Sequence, residues 1–106
     1  MNRRRRRYLL VKILADKAIT DRAFSLRLDA AVEHLYGHVG LAEISPRVVS
    51  YNHERSTALV RCSAEGVQKL RATLALITEI ENNRTAAFIL GVSGTIRSLR
   101  QKLSIK

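Results

Sequence analysis

The apolar positions of this chain change period along its length, and each change marks an element. Residues 8–14, Tyr-Leu-Leu-Val-Lys-Ile-Leu, are apolar on both alternating sets except at Lys12. Such a run predicts a strand covered on both sides, and therefore central in a sheet. Residues 16–20 form a polar connection. Thr20 then caps a helix whose positive end Asp21 favours, with Phe24, Leu28, Ala31 and Leu35 at helical spacing. Gly37 is placed to stop that helix, which leaves 38–45 as a loop.

Beyond the loop the period falls to two. Pro46 has no amide hydrogen and belongs at the start or edge of a strand, so 47–51 is predicted as a strand. Polar residues 52–56 turn it into a hairpin partner at 57–62. In that partner Thr57, Leu59 and Arg61 share one face and Ala58, Val60 and Cys62 the other. Ser63 caps a second helix with Glu65 in its first turn, and Val67, Leu70, Leu74 and Ile77 form its buried stripe. Residues 79–83 read as a polar exit. A fourth strand follows at 85–90, with Ala86, Phe88 and Leu90 on one face, broken by Ser93 and Gly94. Residues 95–103 form a last helix with Ile96, Leu99 and Leu103 inward.

The predicted order is βαββαβ plus a C-terminal helix, the split β-α-β arrangement of ferredoxin-like folds. The expected fold class is therefore α+β, a ferredoxin-like (RRM-like) sandwich with a four-stranded antiparallel sheet. Right-handed crossovers place both helices on one face, with the first and third strands central. One domain, residues 8–106, is preceded by an arginine-rich arm, residues 1–7.

Charge changes the picture from fold to partner. Nineteen Lys and Arg face nine Asp and Glu, a formal charge of +10, and five of the cations are the run Arg3, Arg4, Arg5, Arg6 and Arg7. Without the run, fourteen basic residues still face nine acidic ones. Such a field draws polyanions, nucleic acid first and an anionic membrane surface second. Five adjacent guanidinium groups repel one another, and phosphates relieve that repulsion through counterion release. Five phosphate contacts give a salt slope of about −3 to −5. From Arg84 to the end there are basic residues and no acid. There, Arg97, Arg100 and Lys102 suit both a phosphate and the negative end of a helix.

Other chemistries are poorly supplied. The single Cys62 excludes an intramolecular disulfide and reads as core packing. No apolar run reaches the ~18 residues of a membrane span, and the basic start lacks a signal-peptide pattern. An intracellular, cytoplasmic protein that uses no membrane is the expectation. His34 and His38 lack a third metal ligand nearby. The turn Gly-Val-Ser-Gly-Thr at 91–95 is neither a P-loop, a dinucleotide fingerprint nor a nucleophile elbow. It reads first as a tight turn and helix cap, whose amides at Gly94, Thr95 and Ile96 could also hold a phosphate. No His, carboxylate and nucleophile converge, so neither a catalytic residue nor a metal ligand is predicted. The third strand offers no ring for base stacking, so RNA would be read by backbone and shape.

The order Arg-Tyr-Leu-Leu at 7–10, Arg-Cys at 61–62 and Ser-Gly-Thr-Ile-Arg at 93–97 resembles the family of ribonuclease P protein component 2. This is the small archaeal and eukaryotic subunit shared in eukaryotes with ribonuclease MRP. The Gly37 and Gly40 loop and the Leu-Ile-Thr stretch at 76–78 add to the likeness, which runs from Arg7 to about Leu103. Showing no acidic carboxyl extension, the chain looks more like archaeal members, which is the form the resemblance leads us to expect. It departs from them in its dense arginine leader.

The resemblance implies a subunit of the particle that cleaves precursor transfer RNA to free its mature 5′ end. The particle's RNA carries the chemistry with magnesium, and the chain binds no cofactor. Implied partners are ribonuclease P RNA, the barrel-shaped ribonuclease P protein component 3, precursor transfer RNA indirectly, and a second copy of the chain. The expected RNA contacts are Arg3 to Arg7, Lys12, Arg61, Ser93, Gly94, Thr95, Arg97, Arg100 and Lys102. The alternatives are a generic basic RNA-binding or ribosome-associated protein, a small ligand-binding ferredoxin-like domain, and an independent nuclease. Copurifying RNA, a stabilising small molecule and RNA-free activity respectively distinguish them.

Overall fold

The computed structural model describes residues 5–103, without the side chains of Lys102 and Leu103. Its strands are β1 (Arg6–Ala15), β2 (Arg47–Asn52), β3 (Thr57–Ser63), β4 (Glu79–Ile80) and β5 (Asn83–Ser93). Its helices are α1 (Asp21–Ile44), α2 (Val67–Leu76) and α3 (Ile96–Leu103). The five strands form one sheet in the order β2-β3-β1-β5-β4, and every pairing is antiparallel. The α+β sandwich is as expected, but the sheet has five strands rather than four. The first strand is the middle one, and β3 and β5 flank it, so the expected fourth strand is interior rather than an edge.

The fifth strand comes from the segment read as a polar exit. Ile80 pairs with Asn83, and the two residues between them, Glu81 and Asn82, both take positive φ (53° and 63°). That is the backbone of a two-residue hairpin whose twist matches its strands. Thr85 then donates its amide to the Thr78 carbonyl (2.9 Å). The hairpin buries Ile80, 1% exposed, and this apolar anchor explains why so polar a segment is ordered.

Helix α1 corrects a second expectation. Gly37 does leave helical geometry (φ 73°, ψ −177°), but the chain re-enters the helix and continues to Ile44 in place of a loop. Its later turns are held by burial of Gly40 and Ile44. A Cβ on Gly40 would stand 2.2 Å from that of Tyr36, so only glycine permits this kinked approach. The helix ends at Ser45, whose left-handed backbone (φ 50°) returns its amide to the Leu41 carbonyl. At the other end Thr20 accepts from the Ala23 amide (3.1 Å), as its position predicts.

The core lies between one face of the sheet and helices α1 and α2. Alternate residues of β1 (Leu9, Val11, Ile13) and β3 (Ala58, Val60, Cys62) meet Phe24, Leu28, Val32, Leu70 and Leu74. Each such large side chain contributes about 1.5–3 kcal/mol by leaving water. Strand β5 runs through Ser93 rather than stopping near Leu90, with a register shift opposite Leu10 and Val11. Its buried residues include Thr85 and Ala87, while Ala86, Phe88 and Leu90 face the opposite way and are exposed. The opposite sheet face is only partly covered, by α3 through Ile96 and Leu99. The first strand is thus central without being sealed on both sides.

Candidate nucleic-acid interface

Strand register arranges the open face in rows. Arg47 on β2 pairs with Arg61 on β3, Arg61 with Tyr8 on β1, and Tyr8 with Ser93 on β5. Directly paired residues share a face, so these four form one line across the sheet. A second line joins Ser50, Leu59, Leu10 and Gly91, and a third joins Asn52, Thr57, Lys12 and Phe88. Helix α3 sits against this face and adds Arg97 and Arg100, both exposed.

Most of the acids lie elsewhere. Strands β1, β2, β3 and β5 and helix α3 contain no Asp or Glu, whereas α1 alone contains Asp21, Asp29, Glu33 and Glu43. Apart from the β4 edge, where Glu79 pairs with Arg84 and Asp16 lies 3.3 Å from the Arg84 guanidinium, this side of the sheet carries cations without acidic neighbours, the electrostatic footprint of a polyanion site.

The arginine run is divided by the strand it enters. Arg3 and Arg4 lie outside the described residues. Arg5 accepts the Ala64 amide through its carbonyl (2.9 Å), and β1 begins at Arg6. Because side chains alternate along a strand, Arg6 points to the open face with Tyr8. Arg7, paired with Cys62, points to the helical side, where its Nη1 donates to the Arg6 carbonyl (3.0 Å) and approaches Gly94. Within the described residues, Arg6 and Arg7 are thus aimed to opposite sides of the sheet rather than forming one cluster.

The other expected contacts are distributed around α3. Lys12 donates its ammonium to the Arg55 carbonyl. Thr95 caps α3 by accepting from the Ser98 amide (3.0 Å), and Ser93 accepts from the Thr95 amide (3.5 Å). The hydroxyls of the 93–95 turn thus serve the helix start. Leu99, 2% exposed, pins α3 to the sheet. The Lys102 side chain lies outside the described part. Arg47 and Arg55 escaped the sequence reading. The hairpin pairing of Arg47 with Arg61 was the available signal.

No set of three His, Cys, Asp or Glu side chains among the described residues could hold a metal ion. His38 instead places Nδ1 2.8 Å from Glu33. Burial pushes the Cys62 thiol up to about 11, so it is an inert core residue rather than a nucleophile. No helix among the described residues is long and apolar enough to cross a membrane.

Comparison with known proteins bears directly on this face. Residues 7–104 match the model of the Rpp14/Pop5 family. The chain belongs to the Rpp14/Pop5 family. It is 37% identical over 101 residues to ribonuclease P protein component 2 of Pyrococcus abyssi, covering 94% of this chain and 85% of that one. The protein of the same name from Archaeoglobus fulgidus is 34% identical over 100 residues, covering 94% and 89%. The Methanocaldococcus jannaschii protein of that name is 33% identical over 105 residues, covering 98% and 77%. A chain in the cryo-EM structure of yeast ribonuclease MRP superposes with a TM-score of 0.66 at 14% identity, covering 90% of this chain and 78% of that one. The last likeness concerns the fold alone. The family match begins at Arg7 and so takes in all of β1 and of the open face except Arg6.

Proposed function

We propose that this Rpp14/Pop5 chain is a protein subunit of ribonuclease P, the endoribonuclease that frees the mature 5′ end of transfer RNA. The observation that carries this reading is the family match over residues 7–104, joined to a broad sheet face whose rows across β2, β3, β1 and β5 carry cations and no acid. The chain is a part of the enzyme without being its catalyst. Cleavage belongs to the particle's RNA, with magnesium held there rather than by these side chains.

The work of the chain is electrostatic. RNA segments that crowd together repel through their phosphates, and cations fixed on a rigid sheet neutralise them without being ordered at the moment of binding. Arg6, Arg47, Arg61, Arg97 and Arg100 are the groups placed for this. Their presence lowers the magnesium required to hold the active RNA fold. Within the particle the chain joins RNA and other protein subunits, with the barrel-shaped component 3 and a second copy of itself as its direct protein neighbours.

The test is affinity purification of the full chain under native conditions, with sequencing of bound RNA and identification of bound proteins. Ribonuclease P RNA together with component 3 is the expected yield. Ribosomal RNA without ribonuclease P RNA overturns the assignment.

A further inference from the structure

The rows on the open face leave a groove between the sheet and α3, with a volume of about 850 Å³. Its floor is apolar, from Leu10, Leu59 and Leu90 on the strands and Ile96 and Leu99 on the helix. Its charged lining residues are Lys12, Arg55 and Arg100, and no carboxylate lines it. Phe88 stands at the same groove, 44% exposed, directly across the strand pair from Lys12. An exposed ring on the interior of a sheet face forgoes the burial that its size would gain.

A groove that is apolar inside and carries only cations asks for an occupant that is flat and apolar on one side and anionic on the other. A nucleotide has both properties in one residue. Single-stranded nucleic acid is commonly held by stacking bases on aromatic side chains while a cationic groove follows the backbone. We propose that this groove is a single-stranded RNA subsite, in which a nucleobase stacks on Phe88 and Lys12 and Arg100 hold the neighbouring phosphate. The inference deepens the RNA-binding reading above and rests on it.

The cations beyond the groove favour RNA over an acidic peptide. From Lys12 to the Tyr8 row is ~13 Å along β1 at strand rise, and that row ends in Arg61 and Arg47. A ligand using both sets of cations must present anions at regular intervals over that length, as a phosphodiester chain does. The sheet thus supplies a stacking ring from its β5 strand, where the aromatic-free third strand supplies none.

The experiment uses the full chain and fluorescently labelled hexauridylate, titrated by anisotropy at several salt concentrations, with ribonuclease P RNA titrated in parallel. Phe88→Ala is expected to weaken hexauridylate binding on the order of tenfold. Phe88→Tyr restores it, and Phe88→Leu, which keeps bulk without a π-face, does not. Lys12→Gln lowers the salt slope by ~0.7. Leu76→Ala, on the exposed side of α2, changes neither. Equal binding by Phe88→Ala and the parent chain, or equal rescue by Leu and Tyr, overturns the subsite. So does a Phe88→Ala variant that binds hexauridylate normally but loses a protein subunit, which assigns the groove to protein. If ribonuclease P RNA is bound and only the Phe88 result fails, the subsite falls alone. If the parent chain shows no affinity for that RNA, the RNA-binding reading falls with it.

Discussion

Arg47 and Arg61 face each other directly across β2 and β3, two guanidinium groups in register on the same side of the sheet. Like charges so placed destabilise a strand pair by roughly 0.2–1 kcal/mol. Arg47→Gln is therefore expected to stabilise the free protein by about that amount at low salt, with the gain shrinking as salt screens the pair. Urea unfolding at two ionic strengths measures it. The same substitution weakens RNA binding, so stability and function move in opposite directions at this position.

The kink in α1 rests on one backbone conformation. Gly37 holds φ 73° and ψ −177° with open space where a Cβ would go, so the cost of a side chain there is conformational rather than steric crowding by neighbours. Gly37→Ala is expected to lose about 1–3 kcal/mol of stability, read from the midpoint of chemical denaturation. An unchanged midpoint means that the kink is not held at this residue.

Element existence was legible from period, and the kink shows where that reading stops. A glycine that leaves the helical region signals an end, yet the chain resumes the helix, and Ile44 near its end is buried beside Gly66, remote in sequence. The hairpin at Glu81 and Asn82 was hidden for a related reason: β4 is two residues long, too short for alternation to register. The cations were legible as composition, but their division was not. Strand alternation sends Arg6 and Arg7 to opposite faces, and sheet order brings Arg47 beside Arg61. Phe88 was read as one member of an apolar stripe, and only the covered side of the sheet shows that this stripe looks outward.

Leu99 is the buried anchor of α3, with half-buried Ile96 beside it. Leu99→Ala is expected to cost about 2–5 kcal/mol locally. Hydrogen exchange reads it as faster exchange of α3 amides with little change in β1. Uniform acceleration across the sheet would instead make α3 part of the cooperative core.

Cys62 is 1% exposed, and burial raises its pKa from 9.0 to about 11. The folded state keeps this proton after the unfolded chain has released it. The associated stability is therefore fully present below pH 9 and declines as pH rises toward 11. Alkylation by iodoacetamide at pH 8 is expected to be slow and to follow the unfolded fraction, rising with urea. Rapid labelling under native conditions contradicts the buried placement.

The central claim is that the cationic rows of the open face meet RNA phosphates. The most direct measurement is the salt dependence of binding to ribonuclease P RNA after replacing Arg6, Arg47, Arg61 and Arg100 with Gln, beside a control with Arg22 and Arg71 on the helical side replaced. The four-residue variant is predicted to flatten the log–log slope by roughly 3, near 0.7–0.9 per lost contact, with the control unchanged. A slope that persists in the first variant and falls in the control would contradict the account.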